Sequence, residues 1–126
     1  MPVSVLSICA GASLGALLRW VLSSRFNPIS PSLPLGTLAA NLIGGYLVGV
    51  AVAVFATMPQ LPPHYRLFVV TGFLGGLTTF STFSAEVVTQ LQQGQTTSAL
   101  AIAFVHLLGS FALTALGIAT VTWLRA

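Results

Sequence analysis

Charge is what this sequence has least of. Charged residues make up 4 % of its 126 positions, and Glu86 is the sole acidic side chain, against about 25 % charged in an ordinary soluble domain. A water-soluble protein of this size covers most of its surface with polar groups. The shortage therefore excludes soluble enzymes, nucleic-acid binders and disordered regulators. A net charge of +3 does not point to a polyanionic partner either, because Arg19, Arg25, Arg66 and Arg125 are scattered where a phosphate-binding surface needs them clustered. Cysteine is almost missing too. Cys9 alone forms no intrachain disulfide, and Leu6-Ser7-Ile8-Cys9 lacks the basic flank and long apolar stretch that a processed leader carries before its cleavage point. No cluster of His, Cys or carboxylates is spaced for a transition metal, no carboxylate pair suits hydrolysis, and no Ser-His-acid triad is recognisable.

What the chain does have is apolar length, 56 % of it. About 20 apolar residues take a helix across the hydrocarbon layer, and four stretches qualify: Val3–Leu22, Leu35–Thr57, Leu67–Leu91 and Ser98–Leu124. The joints between them carry turn chemistry: Asn27-Pro28 with Pro31 and Pro34, Pro59 with Pro62-Pro63, and Gln92-Gln93-Gly94-Gln95. Strands of an outer-membrane barrel would alternate polar and apolar residues, which these segments do not. The expectation is a single all-α domain over residues 1–126, with four transmembrane helices and both termini on one side of the bilayer. Arg66 and Arg125 lie on the side of the termini, Arg19 and Arg25 on the other. This tie predicts insertion in both orientations, which permits antiparallel pairs, unless features outside the charge count select one orientation. Arg19, one turn from the end of the first span, reads as an interfacial anchor. Gly11/Gly15, Gly45/Gly49 and Gly72/Gly76 have the spacing that lets helix backbones approach closely in lipid.

Polar residues inside a membrane are costly, so their placement carries the functional information. Thr37 and Asn41 share one face of the second span with Gly45 and Gly49. His106, Ser110 and Thr114 share one face of the fourth. Between them lies Gly72 through Ser84, whose three glycines each disfavour helix by roughly 1 kcal/mol relative to alanine and whose threonines compete for backbone hydrogen bonds. The spacing predicts a helix broken near mid-membrane, at Gly75–Thr79. A break frees carbonyls on one half and N–H groups on the other, which lipid tolerates only where they line a cavity or bind something. The alternative is a kink satisfied by threonine hydroxyls and a neighbouring helix. The lining on offer is hydroxyls, the Asn41 amide, and the positively polarised edges of Phe80 and Phe83, which suits a small anion. His106 reads as an interhelical hydrogen-bond partner. Glu86 is open to a gating, repelling or structural role beside such a path, or to proton exchange in a cation-coupled exporter.

Gly15-Ala16-Leu17-Leu18-Arg19-Trp20, Leu35 through Gly45, and above all Gly72 through Ser84 with its Thr-Thr-Phe-Ser-Thr-Phe-Ser core resemble the Fluc/CrcB family of bacterial fluoride channels. The resemblance implies a dual-topology, antiparallel homodimer in the bacterial inner membrane. It further implies two pores along the subunit interface, passive export of fluoride from the cytoplasm, and exclusion of chloride. It maps the family's anion pore onto Thr37, Asn41, Phe80, Ser81, Phe83, Ser84 and Ser110, and places Glu86 and His106 beside it. A sodium ion at the dimer centre would be held by the backbone carbonyls of Gly75 and Thr78. Where the family has a tyrosine and a serine on the fourth helix, this chain has Ile102 and His106. The rival reading from another class is a proton-coupled small multidrug exporter, which also has four helices and admits dual topology. It needs a membrane-embedded carboxylate, which the first span lacks and which Glu86 supplies only late in the third.

Overall fold

The computed structural model describes all 126 residues, and every regular element in it is helical. Helix α1 runs Pro2–Phe26 and is followed by a 3-10 turn at Asn27–Ile29. Helix α2 runs Leu35–Ala56. The third span comes in two halves. The first, α3, consists of Pro63–Arg66, a π-wound stretch at Leu67–Leu74, and Gly75–Leu77. The second, α4, is Phe80–Gln92. Helix α5 runs Thr96–Arg125. Four spans are thus long and apolar enough to cross a bilayer.

Local sequence sets these boundaries. Proline opens α1 and α3 at the first turn, where its missing N–H is not needed. Pro34 stands at the N-cap of α2 and has no side chain to satisfy the free amides there. Asn27, from the preceding turn, does so instead: its Oδ1 accepts the Thr37 N–H at 3.0 Å. Helix α4 stops at Gly94, whose φ of +78° is natural only for glycine. The Gln95 and Gly94 amides then fold back onto the carbonyls of Gln90 and Leu91, closing a Schellman motif. Gln90 also ties the first loop to α4 by donating to the Ser32 carbonyl at 2.9 Å.

The spans pack as two close pairs, α1 along α3 and α2 along α5. Glycine makes both possible. A Cβ at Gly11 would run into the Phe68 carbonyl, one at Gly15 into the Phe73 carbonyl, and one at Gly76 into that of Ala12. On the other pair, Gly49 faces the Thr114 backbone and Gly117 faces Tyr46. In lipid no hydrophobic force drives helices together, so backbone proximity of this kind supplies the association. Hydrogen bonds reinforce the second pair, with Thr114 Oγ1 donating to the Gly45 carbonyl at 2.9 Å and Tyr46 to Thr120 Oγ1 at 3.1 Å. Gly15→Leu should separate α1 from α3, because its side chain meets main chain that no rotamer change can move. The loss expected is about 3 kcal/mol, the upper end for an overpacked contact, read as a lost monodisperse peak in size-exclusion chromatography of the detergent-solubilised protein.

The third span is interrupted, but the unwinding sits at the late end of the expected stretch. Gly75 is helical, with φ of −63° and ψ of −38°. The extended residues are Thr78, at φ −88° and ψ 154°, and Thr79, at φ −149° and ψ 117°. The physical reason is a division of labour. Gly72 and Gly76 stay helical because α1 lies against them, while the β-branched threonines that follow favour extended backbone, Thr78 packing its methyl group against Gly44 of α2.

Candidate functional site

Interrupting a helix redirects particular hydrogen bonds. In a continuous helix the Thr79 N–H would donate to the Gly75 carbonyl and the Thr82 N–H to the Thr78 carbonyl. Here the Thr79 N–H donates to Asn41 Oδ1 at 2.8 Å, and the Thr82 N–H donates to Thr79 Oγ1 at 3.0 Å. Thr79 is therefore the N-cap of α4. The carbonyls of Gly75 and Thr78, the two that the resemblance nominates for a cation, are released from helical bonding. A third carbonyl at the break, that of Gly76, accepts from Arg19 Nε at 3.0 Å. Arg19 thus turns inward onto the negative end of α3, where the carbonyls of a last helical turn concentrate partial charge. It is engaged at the break and not as the interfacial anchor expected from its position.

From α2, Asn41 clamps the break. Its Oδ1 takes the Thr79 N–H, and its Nδ2 donates both to the Thr79 carbonyl at 3.1 Å and to His106 Nδ1 at 3.0 Å. His106 is accordingly an interhelical partner, joining α5 to α2. The Asn41 amide, expected to offer a hydrogen to an anion, has both hydrogens committed within the chain. One turn earlier on α2, Thr37 is fully buried. Its hydroxyl accepts from Asn27 Nδ2 at 3.1 Å and donates to Glu86 Oε2 at 2.7 Å. The lone carboxylate is therefore tied to α2, with Oε1 left unpartnered.

The aromatic pair flanks the break as the sequence pattern suggests. Phe80 and Phe83 meet edge to face, with centroids 5.4 Å apart and planes at 80°. Phe83 then stacks on His106 at 4.5 Å and 21°. Phe83 is 6 % exposed, whereas Phe80 is 71 % exposed on the outside of the chain. These groups border a cavity of about 370 Å³ that also includes Asn41, Thr78, Thr79 and Ser110 in its wall, together with Leu107 and Phe111. Thr37 and Glu86 lie outside that wall, as do Ser81 and Ser84. Ser81 pairs with Thr79 at 3.2 Å between hydroxyl oxygens, and Ser84 is half-buried on α4. Ile102 is fully buried. Sequence reasoning missed Asn27, which reads only as a turn residue before Pro28. It also missed the wall positions of Leu107 and Phe111; helical spacing from Ser110 would have found Leu107, three residues earlier, and Phe111 lies one turn beyond that.

With the broken third span, its threonine N-cap, the clamping asparagine and the phenylalanine pair in place, comparison of the sequence with known proteins decides the family. The sequence profile of the family described as CrcB-like protein, Camphor Resistance (CrcB), matches residues 6–118. The chain belongs to the CrcB family. Among relatives in that family, it is 62 % identical over 122 residues to the "Fluoride-specific ion channel FluC" of Chromobacterium violaceum, covering 97 % of each chain. It is 61 % identical over 127 residues to the protein of the same name from Burkholderia lata, covering 100 % of this chain and 99 % of the other. A third CrcB relative so named, from Burkholderia pseudomallei strain 668, is 61 % identical over 125 residues, covering 98 % of each. CrcB membership and four apolar spans make this a multi-pass protein of a bacterial membrane.

Proposed function

We propose that this chain is a fluoride channel that lets the ion leave the cytoplasm passively, working as a dual-topology antiparallel homodimer with two pores along the subunit interface. The observation that carries the reading is the cavity beside the break. It combines hydroxyls, main-chain groups and ring edges, and it opens on the flank of the chain where Phe80 stands 71 % exposed. Broken backbone facing lipid is unfavourable, so a second copy is the natural cover. With Arg19 engaged at the break, the charges left to orient the chain are Arg25 against Arg66 and Arg125. A difference of one fixes orientation only weakly.

Along such a path a small anion exchanges its water shell for neutral donors: the Ser110 hydroxyl, the hydroxyls around Thr79 and Ser81, and the edges of Phe80 and Phe83. Neutral donors hold the ion loosely enough for it to leave. A small, hard anion gains most from O–H and N–H donors, which favours fluoride over chloride. The names carried by relatives more than 60 % identical support the same substrate.

The donor set at the break also fits a sodium ion at the dimer centre. The Gly75 and Thr78 carbonyls, deprived of the Thr79 and Thr82 amides, would hold it together with the same pair from a second copy. Bound there, the ion would supply positive charge that joins the two broken helices. Fluoride efflux from proteoliposomes, run with and without a proton gradient, tests the reading. The expected result is release at the same rate in both. Release only with the gradient would favour a proton-coupled exporter.

A further inference from the structure

Two further cavities lie along the seam between α2 and α3, and they share the ring of Phe55. The outer one, about 510 Å³, is bounded by the loop that joins these helices, with Pro59 and Pro62 in its wall and Arg66 as its one charged group. The inner one, about 320 Å³, is lined only by apolar side chains, among them Leu47, Val50 and Val54 of α2 and Val69 and Phe73 of α3. The π winding shapes that second wall. Its i→i+5 bonding brings Leu74 onto the face of Val69 and Phe73, where an α-helix would turn it away.

Direction suits a lipid as well as lining does. Phe55 is in the last turn of α2 and Arg66 precedes the apolar run of α3, so both stand at the membrane interface, as does the exposed Tyr65. From Phe55 the groove descends to Leu47, about 12 Å at about 1.5 Å per residue, against roughly 15 Å for the hydrocarbon of one leaflet. Arg66, at its mouth, lacks an anion. The guanidinium lies 5.6 Å from the Phe55 ring centre, a contact that uses none of its five N–H donors. The sole acidic side chain, Glu86, is bound to Thr37. An arginine held over a ring at the head of an apolar groove is complementary to a phosphate that carries a hydrocarbon tail.

We propose that the α2–α3 seam binds one anionic phospholipid, with its phosphate on Arg66 and one acyl chain in the groove below. The same shortage of acid selects the headgroup. A headgroup amine would bring a second cation beside Arg66 with no carboxylate to receive it, so a lipid of net negative charge is preferred. A second copy of the chain is not the cover here. Gly45 is in the wall of the cavity beside the break, and Leu47, two residues on, lies on the opposite face of α2. A copy that closes the one flank leaves the other to lipid.

The full chain is reconstituted in phosphatidylcholine vesicles doped with a phosphatidylglycerol that carries a diazirine midway along one acyl chain. Illumination, digestion and mass spectrometry then locate the label. It is expected on residues 47–54 and 69–73, displaced by unlabelled phosphatidylglycerol but neither by further phosphatidylcholine nor by inorganic phosphate. Arg66→Gln, which removes the charge and keeps a polar end, should lower labelling of the groove about tenfold, the worth of one hydrogen bond to a charged group. Label spread evenly over the four spans would overturn the inference, as the mark of ordinary surrounding lipid. Displacement by phosphatidylcholine as effective as by phosphatidylglycerol would overturn it without recourse to any variant, and displacement by inorganic phosphate would mark a site for the free ion instead. A groove that takes no label is one that a second copy covers, and the lipid site falls with it. So it does if Arg66→Gln protein that elutes like wild type is labelled to the same extent.

Discussion

Phe83→Ile should lower fluoride efflux by about ten- to a hundredfold while the protein keeps its assembly state. Phe83 makes an edge contact with Phe80 and a face contact with His106. Each aromatic pair is worth about 0.5–1.5 kcal/mol beyond the area it buries, and about 1.4 kcal/mol is a factor of ten. Isoleucine restores most of the apolar volume but has no positively polarised edge to present to an anion. Phe80→Ile isolates the same effect from folding. That ring is 71 % exposed in one chain, so its removal hardly touches the core of a protomer. Efflux from proteoliposomes, followed with a fluoride electrode, checks both. Wild-type rates in the two variants would remove the rings from the conduction path.

Asn41→Asp should be more damaging still, and to the fold as well as the flux. The carboxylate keeps an oxygen for the Thr79 N–H, but its second oxygen then confronts the Thr79 carbonyl, while His106 can answer by carrying its proton on Nδ1. Acceptor meets acceptor once, beside a charge buried in the span. The lost bond alone costs about 1–3 kcal/mol, against a typical domain stability of about 5–15 kcal/mol. The expected outcome is a sharply lower thermal midpoint in detergent and no measurable efflux. A midpoint equal to wild type would mean that the break is held by something other than this clamp.

Reading the sequence alone recovers the helices well, because membrane spans announce themselves by apolar length and by the proline and glycine clusters between them. It recovers the interruption of the third span too, since three glycines followed by threonines satisfy neither helix propensity nor a uniform apolar surface. It does not recover which of these residues unwinds. Gly72 and Gly76 look like helix breakers in sequence and act as contact points for α1 in space. The face shared by Thr37 and Asn41 is legible from spacing, yet their partners are not: Glu86 is 49 residues from Thr37 and His106 is 65 from Asn41. Arg19 fails for a related reason. Distance from a helix end suggests snorkelling, whereas the carbonyl that captures it exists only because another helix is broken beside it. The partners of the Asn41 amide within the chain, the Thr79 peptide and His106, are illegible in sequence for the same reason.

Arginine from α1, asparagine from α2 and the span's own threonine together tie down the unwound stretch at Gly76, Thr79 and Thr82. A stretch secured from three sides has no slack to swing and makes a poor door. On the channel reading proposed above, such a conduit would stand permanently ajar: a bacterium could not shut it on demand, and outflow would follow only the electrochemical gradient of the ion and the number of copies installed.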